Sequence, residues 1–315
     1  MVPSIEEGRI VLIANPVSKS GRGAVAASEA ARLFRERVGE ERFELLTTAR
    51  PLHGEELARD LPDDVGCVIA LGGDGLVNEV VNGLMARKRE DRPALAVIPV
   101  GSGNDYAETL GMAYAVPTAV TEILRFQTKR ADVGRVNGRY FAETLSFGLD
   151  AAIALDTVDR RQKSGRAGTM LYLESAVDQL FKHLRLYDFK MNVLAAEPGC
   201  APHSEQDEAY LVAVQVGPTY GGHFRITPKA RFDDGLFDIC WATPELAPMR
   251  ALALLLRARG GKHTGSSHIH FRRAQRLVLD FEEEPPAQMD GEKVSGTHFV
   301  IDCVPDALTV VVGQR

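Results

Sequence analysis

Three short stretches combine glycine with the groups that handle phosphate. They are Asn15-Pro16-Val17-Ser18-Lys19-Ser20-Gly21-Arg22-Gly23, Gly72-Gly73-Asp74-Gly75 and Gly101-Ser102-Gly103-Asn104-Asp105. Each follows an apolar strand-like run and precedes a helical pattern. Turns at the carboxyl ends of parallel strands are where open α/β sheets take ligands. Glycine lets backbone N–H groups come close to a phosphate, and a following helix start favours negative charge. Asp74 and Asp105 extend this chemistry. Carboxylates repel phosphate unless a cation lies between, and Mg²⁺ carried by ATP takes one or two carboxylates plus phosphate oxygens. A single such turn is as often a plain connection, and Asp105 alone is as often a helix-start charge. Three in succession, two with a carboxylate, favour a nucleotide site. None matches GxGxxG or GxxxxGK[ST].

The elements that must hold these turns follow from periodicity. Arg9–Ala14, Phe43–Thr47, Cys67–Leu71 and Ala94–Val100 read as strands. Ala24–Val38, His53–Leu61, Leu76–Arg87 and a segment from about Asp105 read as helices. Strands alternating with helices predict a parallel sheet covered on both faces. The pattern changes near Lys129. Val133–Val136 and Arg139–Thr144 flank Asn137-Gly138, a hairpin signal. Further strands are predicted at Leu186–Ala195, Tyr210–Val216, Phe237–Ala242, His268–Phe271, Arg276–Phe281 and His298–Cys303, with one helix at Glu245–Arg259 and a polar loop at Glu197–Asp207. The expected fold is α/β plus β: an N-terminal parallel α/β domain over 1–128 and a mostly antiparallel, β-rich domain over 129–304.

Bulk properties narrow the class. The net charge of −6 gives no general attraction to nucleic acid or anionic membrane, although a local basic patch stays allowed. Cys67, Cys200, Cys240 and Cys303 are scattered without a CxxC pair, which predicts no zinc or disulfide framework and a reducing, cytoplasmic setting. The first residues lack a signal-peptide pattern, and no apolar run is long enough to span a bilayer. Leu252–Leu256 reads as core helix. Arg160, Arg161, Lys163 and Arg166 read as a solvated loop, with anionic headgroup contact the lesser alternative. His268 and His270 alternate along a strand and read as surface or packed side chains rather than a metal pair.

At this point the chain resembles the diacylglycerol kinase catalytic-domain family, which includes bacterial lipid kinases and sphingosine and ceramide kinases. The resemblance rests on NPVSKSGRG (15–23), TTARPLHGEELA (47–58), GGDGLVNEVVNGL (72–84), PVGSGNDYAETLG (99–111), SFGLDAAI (146–153), GPTYGGHFRITPKARFDDGLFD (217–238) and QMDGE (288–292). It covers nearly the whole chain. GGDG alone is shared with NAD kinases and phosphofructokinases; the ordered set is specific.

The resemblance implies a nucleotide-binding α/β domain and a C-terminal β-sandwich, with the active site in the cleft between them and the last strand, about Ala307–Val312, returning to the first domain, so that 305–315 belongs with 1–128. It implies ATP and Mg²⁺ as cofactors. Asn15, Pro16, Ser18, Gly21, Gly72, Gly73, Asp74 and Gly75 would hold the phosphates, with Asn78, Glu79, Gly101, Asn104 and Asp105 in the same motifs and Thr48 and Gly103 as weaker contacts. Asp290 would be the general base toward a lipid hydroxyl and Glu292 a second acid. Without the resemblance, Asp290-Gly291 reads as a turn. Arg231, Asp234 and Leu236 match a structural Mg²⁺ or Ca²⁺ site held by one Asp side chain, that of Asp234, and nearby main-chain carbonyls; the alternative is an Asp-Gly turn, and both can hold together. The implied function is γ-phosphate transfer from ATP to a lipid hydroxyl, diacylglycerol first, at a membrane surface and with no nucleic acid. A homodimer is left open. One departure is Leu76, where the family carries Thr. It keeps a weak or silent nucleotide- or lipid-binding regulator as the alternative, beside an NAD kinase-like enzyme.

Overall fold

The computed structural model of the chain describes residues 4, 6–164, 169–244 and 247–314. Arg166 of the basic cluster and Glu245 of the predicted helix lie outside these residues, as do Met1–Pro3, Ile5 and Arg315. The chain divides into two compact units, Met1–Val133 with Pro305–Arg315, and Gly134–Val304.

The first unit is built on β1 (Arg9–Ala14), β2 (Phe43–Thr47), β3 (Val65–Gly72) and β4 (Ala94–Pro99), parallel in the order β2-β1-β3-β4. Every residue of β3 and β4 is buried. That is the pattern of strands covered on both faces, each large aliphatic side chain contributing about 1.5–3 kcal/mol by leaving water. The connections are α1 (Ser18–Val38), α2 (His53–Arg59) and α3 (Asp74–Met85); α4 (Asp105–Thr109), α5 (Val116–Ile123) and β5 (Thr128–Val136) follow β4. Helix α1 opens with a break, because Lys19, Ser20 and Gly21 take left-handed dihedrals. The regular helix therefore begins near the predicted position. The segment after Asp105 is helical for only five residues, and α5 carries no strong sequence signal.

The second unit is antiparallel. It contains β6 (Arg139–Phe141), β7 (Thr144–Gly148), α6 (Leu149–Ser164), α7 (Thr169–Lys182), β8 (Tyr187–Ala196), β9 (His203–Ala209), β10 (Leu211–Gln215), β11 (Phe237–Ala242), α8 (Pro248–Ala258), β12 (Ile269–Phe281), β13 (Ala287–Met289), β14 (Glu292–Val294) and β15 (His298–Val311). Neighbouring strands run β14-β13-β7-β10-β11-β12-β15, with β8 on β12 and β9 on β8. Phe147, Phe189, Phe281 and Phe299 fill the core between them. The observed class, parallel α/β followed by antiparallel β, is the predicted one.

Several predicted elements are corrected. His203–Asp207, the second half of the predicted polar loop, lies in strand β9, paired with β8 in the register Val193↔His203 to Tyr187↔Ala209. Its charges have partners: Asp207 accepts from the Trp241 indole N–H at 3.0 Å and Glu205 from Arg272 at 2.6 Å. The two strands predicted at His268–Phe271 and Arg276–Phe281 are one strand, β12, which pairs with β11 over its first half and with β15 and β8 over its second. Arg139–Thr144 divides into β6 and the start of β7. Arg160, Arg161 and Lys163 lie on α6, not in a loop, and Arg160 bridges Asp156 and Asp178 at 2.6 Å each. Among the described residues the unit has three helices rather than the one predicted. No helix among the described residues is long and apolar enough to cross a membrane.

Strand β15 belongs to both units. Its first half pairs with β12, and Val310 pairs in parallel with Leu95 of β4.

Candidate active site

In the first unit, two glycine turns touch backbone to backbone. A Cβ on Gly101 would lie 2.4 Å from the Gly73 Cα. The second turn is closed by Asn104, left-handed at φ 64°, which accepts from Gly101 N–H at 2.6 Å and donates to its carbonyl at 3.0 Å. Asp74 stands beside it and accepts from Asn104 N–H at 2.7 Å. A Cβ on Gly103 would lie 2.5 Å from the Asp74 carboxylate and 3.1 Å from that of Asp105. Two carboxylates therefore flank one glycine. Burial raises the Asp74 pKa, opposed by N–H bonds from Asn104, Asp105 and Tyr106. A cation would relieve that cost, and two carboxylates plus phosphate oxygens suit Mg²⁺.

The first turn is organised by Asn15. Its side chain accepts from Val17 N–H at 3.1 Å and its carbonyl from Ser18 N–H at 3.2 Å. A Cβ at Gly23 would strike that carbonyl at 2.1 Å, so glycine is required there. Pro16 accepts from Ala24 N–H, and Gly21 donates to Val17 O. Thr48 follows the end of β2 and donates its N–H to Ala14 O at 2.9 Å, so its backbone extends the sheet.

Two residues of the Gly72–Leu84 motif act on structure. Glu79 accepts from Leu52 N–H at 2.9 Å and Gly54 N–H at 2.8 Å, fixing the approach to α2. Asn78 is buried and accepts from the Asn82 side chain. Leu76 is also buried. Its methyls would meet a Cβ on Gly54 at 2.7 Å and on Gly72 at 2.8 Å, so Leu76 fills the space those glycines leave.

In the second unit, Asp290 and Gly291 form the two-residue turn between β13 and β14, with φ of 48° and 90°. The turn and the expected general base thus fall on the same residue. Asp290 Oδ2 accepts from Ala142 N–H at 2.6 Å, and Oδ1 from Glu143 and Thr144 N–H at 3.1 and 2.9 Å. Three backbone N–H groups converge on it, so the carboxylate holds the 142–144 backbone whatever else it does. Glu292 is exposed on β14.

A polar network lies beside this turn. Gln288 donates to Ser146 Oγ at 2.7 Å and accepts from Gly291 N–H at 2.7 Å, while Gln215 donates to Thr144 Oγ1 at 2.6 Å. Asp150, nearly fully buried, accepts from the Tyr220 hydroxyl, and its Oδ1 has no hydrogen-bond partner among the described residues. Burial pushes Asp150 up to about 6, against the pull of Tyr220 and Ser146. Sequence reasoning assigned none of these residues a role. The signal was present as polar side chains inside the apolar strands Thr144–Gly148 and Leu211–Gln215.

The second implied cation site does not fit a divalent ion here. Asp234 Oδ1 accepts from Leu236 N–H at 3.2 Å, and its Oδ2 is taken by the Arg273 guanidinium. Arg273 also reaches Asp238 at 3.3 Å and Glu197 at 3.7 Å, and the Arg231 side chain is turned to Asp233. A fixed positive charge already stands among these carboxylates. No group of three or more metal-ligating side chains occurs among the described residues.

Both halves of the chain are similar to known proteins. Residues 9–136 match the family described as Diacylglycerol kinase catalytic domain, and residues 143–312 the one described as YegS C-terminal NAD kinase beta sandwich-like domain. The chain is 26% identical to a diacylglycerol kinase of Staphylococcus saprophyticus over 75% of its own length and 73% of that protein. It is 29% identical to a probable lipid kinase YegS-like of Chromohalobacter salexigens, over 83% and 81%. The crystal structure of a diacylglycerol kinase from Bacillus anthracis str. Sterne superposes with a TM-score of 0.75 at 21% identity, over 98% of this chain and 97% of that one, which shows the shared fold. With both halves of the chain matched in order, the protein belongs to the diacylglycerol kinase-like lipid kinases, phosphotransferases with an alcohol acceptor.

Proposed function

We propose that this chain transfers the γ-phosphate of ATP to the hydroxyl of a lipid, with diacylglycerol as the first candidate. The observation that carries the reading is the contact of the Gly73 and Gly101 turns with Asp74 and Asp105 on either side of Gly103. Backbone N–H groups of the Gly72–Gly75, Gly101–Gly103 and Asn15–Gly23 turns would take phosphate oxygens. Asp74 and Asp105 would hold the Mg²⁺ that accompanies ATP, which supplies charge neutralisation when bound. Ser18 lies within the first of these turns, and Thr48 donates its N–H to the carbonyl of Ala14, the residue before that turn. Asn78, Glu79 and Asn104 act as positioning residues.

In the second unit, Asp290 would take the hydroxyl proton, with Glu292 as a further acid. Phosphoryl transfer depends mainly on positioning and charge neutralisation, so the base need not be strongly perturbed. Leu76 motivates the second reading, a weak or silent regulator, because it brings no hydroxyl to the helix start.

The test is transfer of labelled γ-phosphate from Mg-ATP to diacylglycerol, monoacylglycerol, sphingosine, ceramide and phosphatidylglycerol in mixed micelles, with NAD as a soluble acceptor. A labelled lipid is the expected product. Labelled NAD alone would move the assignment to an NAD kinase-like enzyme. ATP binding without any product would support the silent reading.

A further inference from the structure

Helix α8 is apolar on two opposite sides. Ala258 is buried, and Leu255 packs on the cluster of Tyr220, Phe224 and Cys240. At 100° per residue, Met249, Ala253 and Leu256 project on the far side, and the structure leaves Met249 67% and Leu256 53% exposed. A surface helix of a globular protein ordinarily carries polar residues there. The charged residues stand instead at the borders of this stripe: Arg250 and Arg257 on one flank, and Arg259 just past the helix end on the other, all exposed. The surrounding chain is one-signed. From Leu246 to Leu279 there is no Asp or Glu and there are seven Lys or Arg, in a protein of net charge −6.

The neighbouring helix continues the theme. Helix α7 lies beside α8 and exposes Met170, Val177 and Phe181. The nearby Asp178 is neutralised by Arg160 and Lys182. Two kinds of occupant could cover α8. A second copy of this chain, meeting face to face about a twofold axis, would bring the same arginines against each other. An anionic bilayer offers acyl chains to the stripe and phosphates to its borders.

We propose that the outer face of α8 lies on an anionic lipid surface, with Met249 and Leu256 entering the headgroup–acyl boundary and Arg250, Arg257 and Arg259 meeting lipid phosphates. The proposal rests on the lipid-kinase reading and names how that enzyme reaches its substrate.

Vesicle co-sedimentation of the whole chain, without ATP or acceptor lipid, tests it. Phosphatidylcholine vesicles are compared with vesicles containing phosphatidylglycerol. The chain is expected to pellet with the anionic vesicles only and to be released by high salt. Each of Arg250→Gln, Arg257→Gln and Arg259→Gln should lower partitioning about fivefold. Met249→Ser with Leu256→Ser should lower it by about tenfold or more. An unchanged Tm in all of them shows that they are folded. Wild type that ignores anionic vesicles, equal binding to neutral ones, or variants that bind like wild type would each overturn the proposal. So would a dimer that the paired serine substitutions dissociate. Transfer to a short-chain diacylglycerol in solution is measured in parallel. Its absence in wild type counts against the kinase reading, whereas its presence without vesicle binding counts against α8 alone.

Discussion

Gly73 and Gly101 come from turns 28 residues apart in sequence, yet leave no room for a methyl group between them: a Cβ on Gly101 would stand 2.4 Å from the Gly73 Cα. Because the clash is with backbone, no rotamer change relieves it. Gly101→Ala should cost about 1–3 kcal/mol, as overpacking does, and weaken binding of a fluorescent ATP analogue by about tenfold, roughly 1.4 kcal/mol. Gly265→Ala is the matched control, since its Cβ would meet nothing within 4 Å. Equal Tm and affinity in both variants would remove the turn contact from the nucleotide site.

Asp290→Asn should suppress phosphate transfer and also lower Tm. The amide nitrogen would face backbone N–H groups that now donate to a carboxylate, at about 1–3 kcal/mol for each donor left unpaired. ATP should still protect the first unit in hydrogen exchange. Lost transfer at unchanged Tm would point to proton removal alone. Unchanged turnover would take Asp290 out of the mechanism.

The buried Asp150 gives stability a pH dependence. Its folded pKa of about 6 lies above the ordinary aspartate value of 3.8, so the folded state holds the proton more tightly. Stability from this group is present in full below about pH 4 and is lost as pH rises through about 6, an effect of about 3 kcal/mol. Asp150→Asn should flatten the Tm–pH curve across that window. A curve of the same slope in the variant would assign the effect to another group.

Arg273 stands where the family resemblance implied a divalent ion. Without nucleotide, Ca²⁺ or Mg²⁺ should leave the wild-type Tm unchanged. Arg273→Met strips the cation from Asp234, Asp238 and Glu197, and should cost about 1–3 kcal/mol in chelator, with part of the loss recovered on adding Ca²⁺. A wild-type Tm that already rises with Ca²⁺ would show that the metal site exists beside the arginine.

The sequence made the first unit legible because its central strands, β3 and β4, are closed apolar runs that meet glycine at their ends. Val65–Gly72 and Ala94–Pro99 need no tertiary knowledge to be read. The second unit was harder for physical reasons. His203–Ala209 is a charged edge strand whose side chains are satisfied by Trp241 and Arg272, partners far away in sequence. Helices α6 and α7 mix charge and apolar residues on faces that only packing separates. Within the site, the glycines and Asp74 announced themselves by type. The structural use of Glu79, which reaches 25 and 27 residues back to the Gly54 and Leu52 N–H groups, and the engagement of Asp234 by Arg273 depend on three-dimensional neighbours that spacing does not encode.

Strand β15 has a consequence for how the chain is made. The first unit begins at the start of the sequence, but its sheet includes Val310 against Leu95, and Arg92 donates to Ala307 O at 2.9 Å. During synthesis the β2-β1-β3-β4 sheet emerges first and waits, with the β4 edge uncovered, until more than 200 further residues have left the ribosome. Such non-local closure is slow, and an open apolar edge is exposed to wrong partners meanwhile. The nascent first unit is therefore the part of this chain with most to gain from a chaperone until the second unit has been translated.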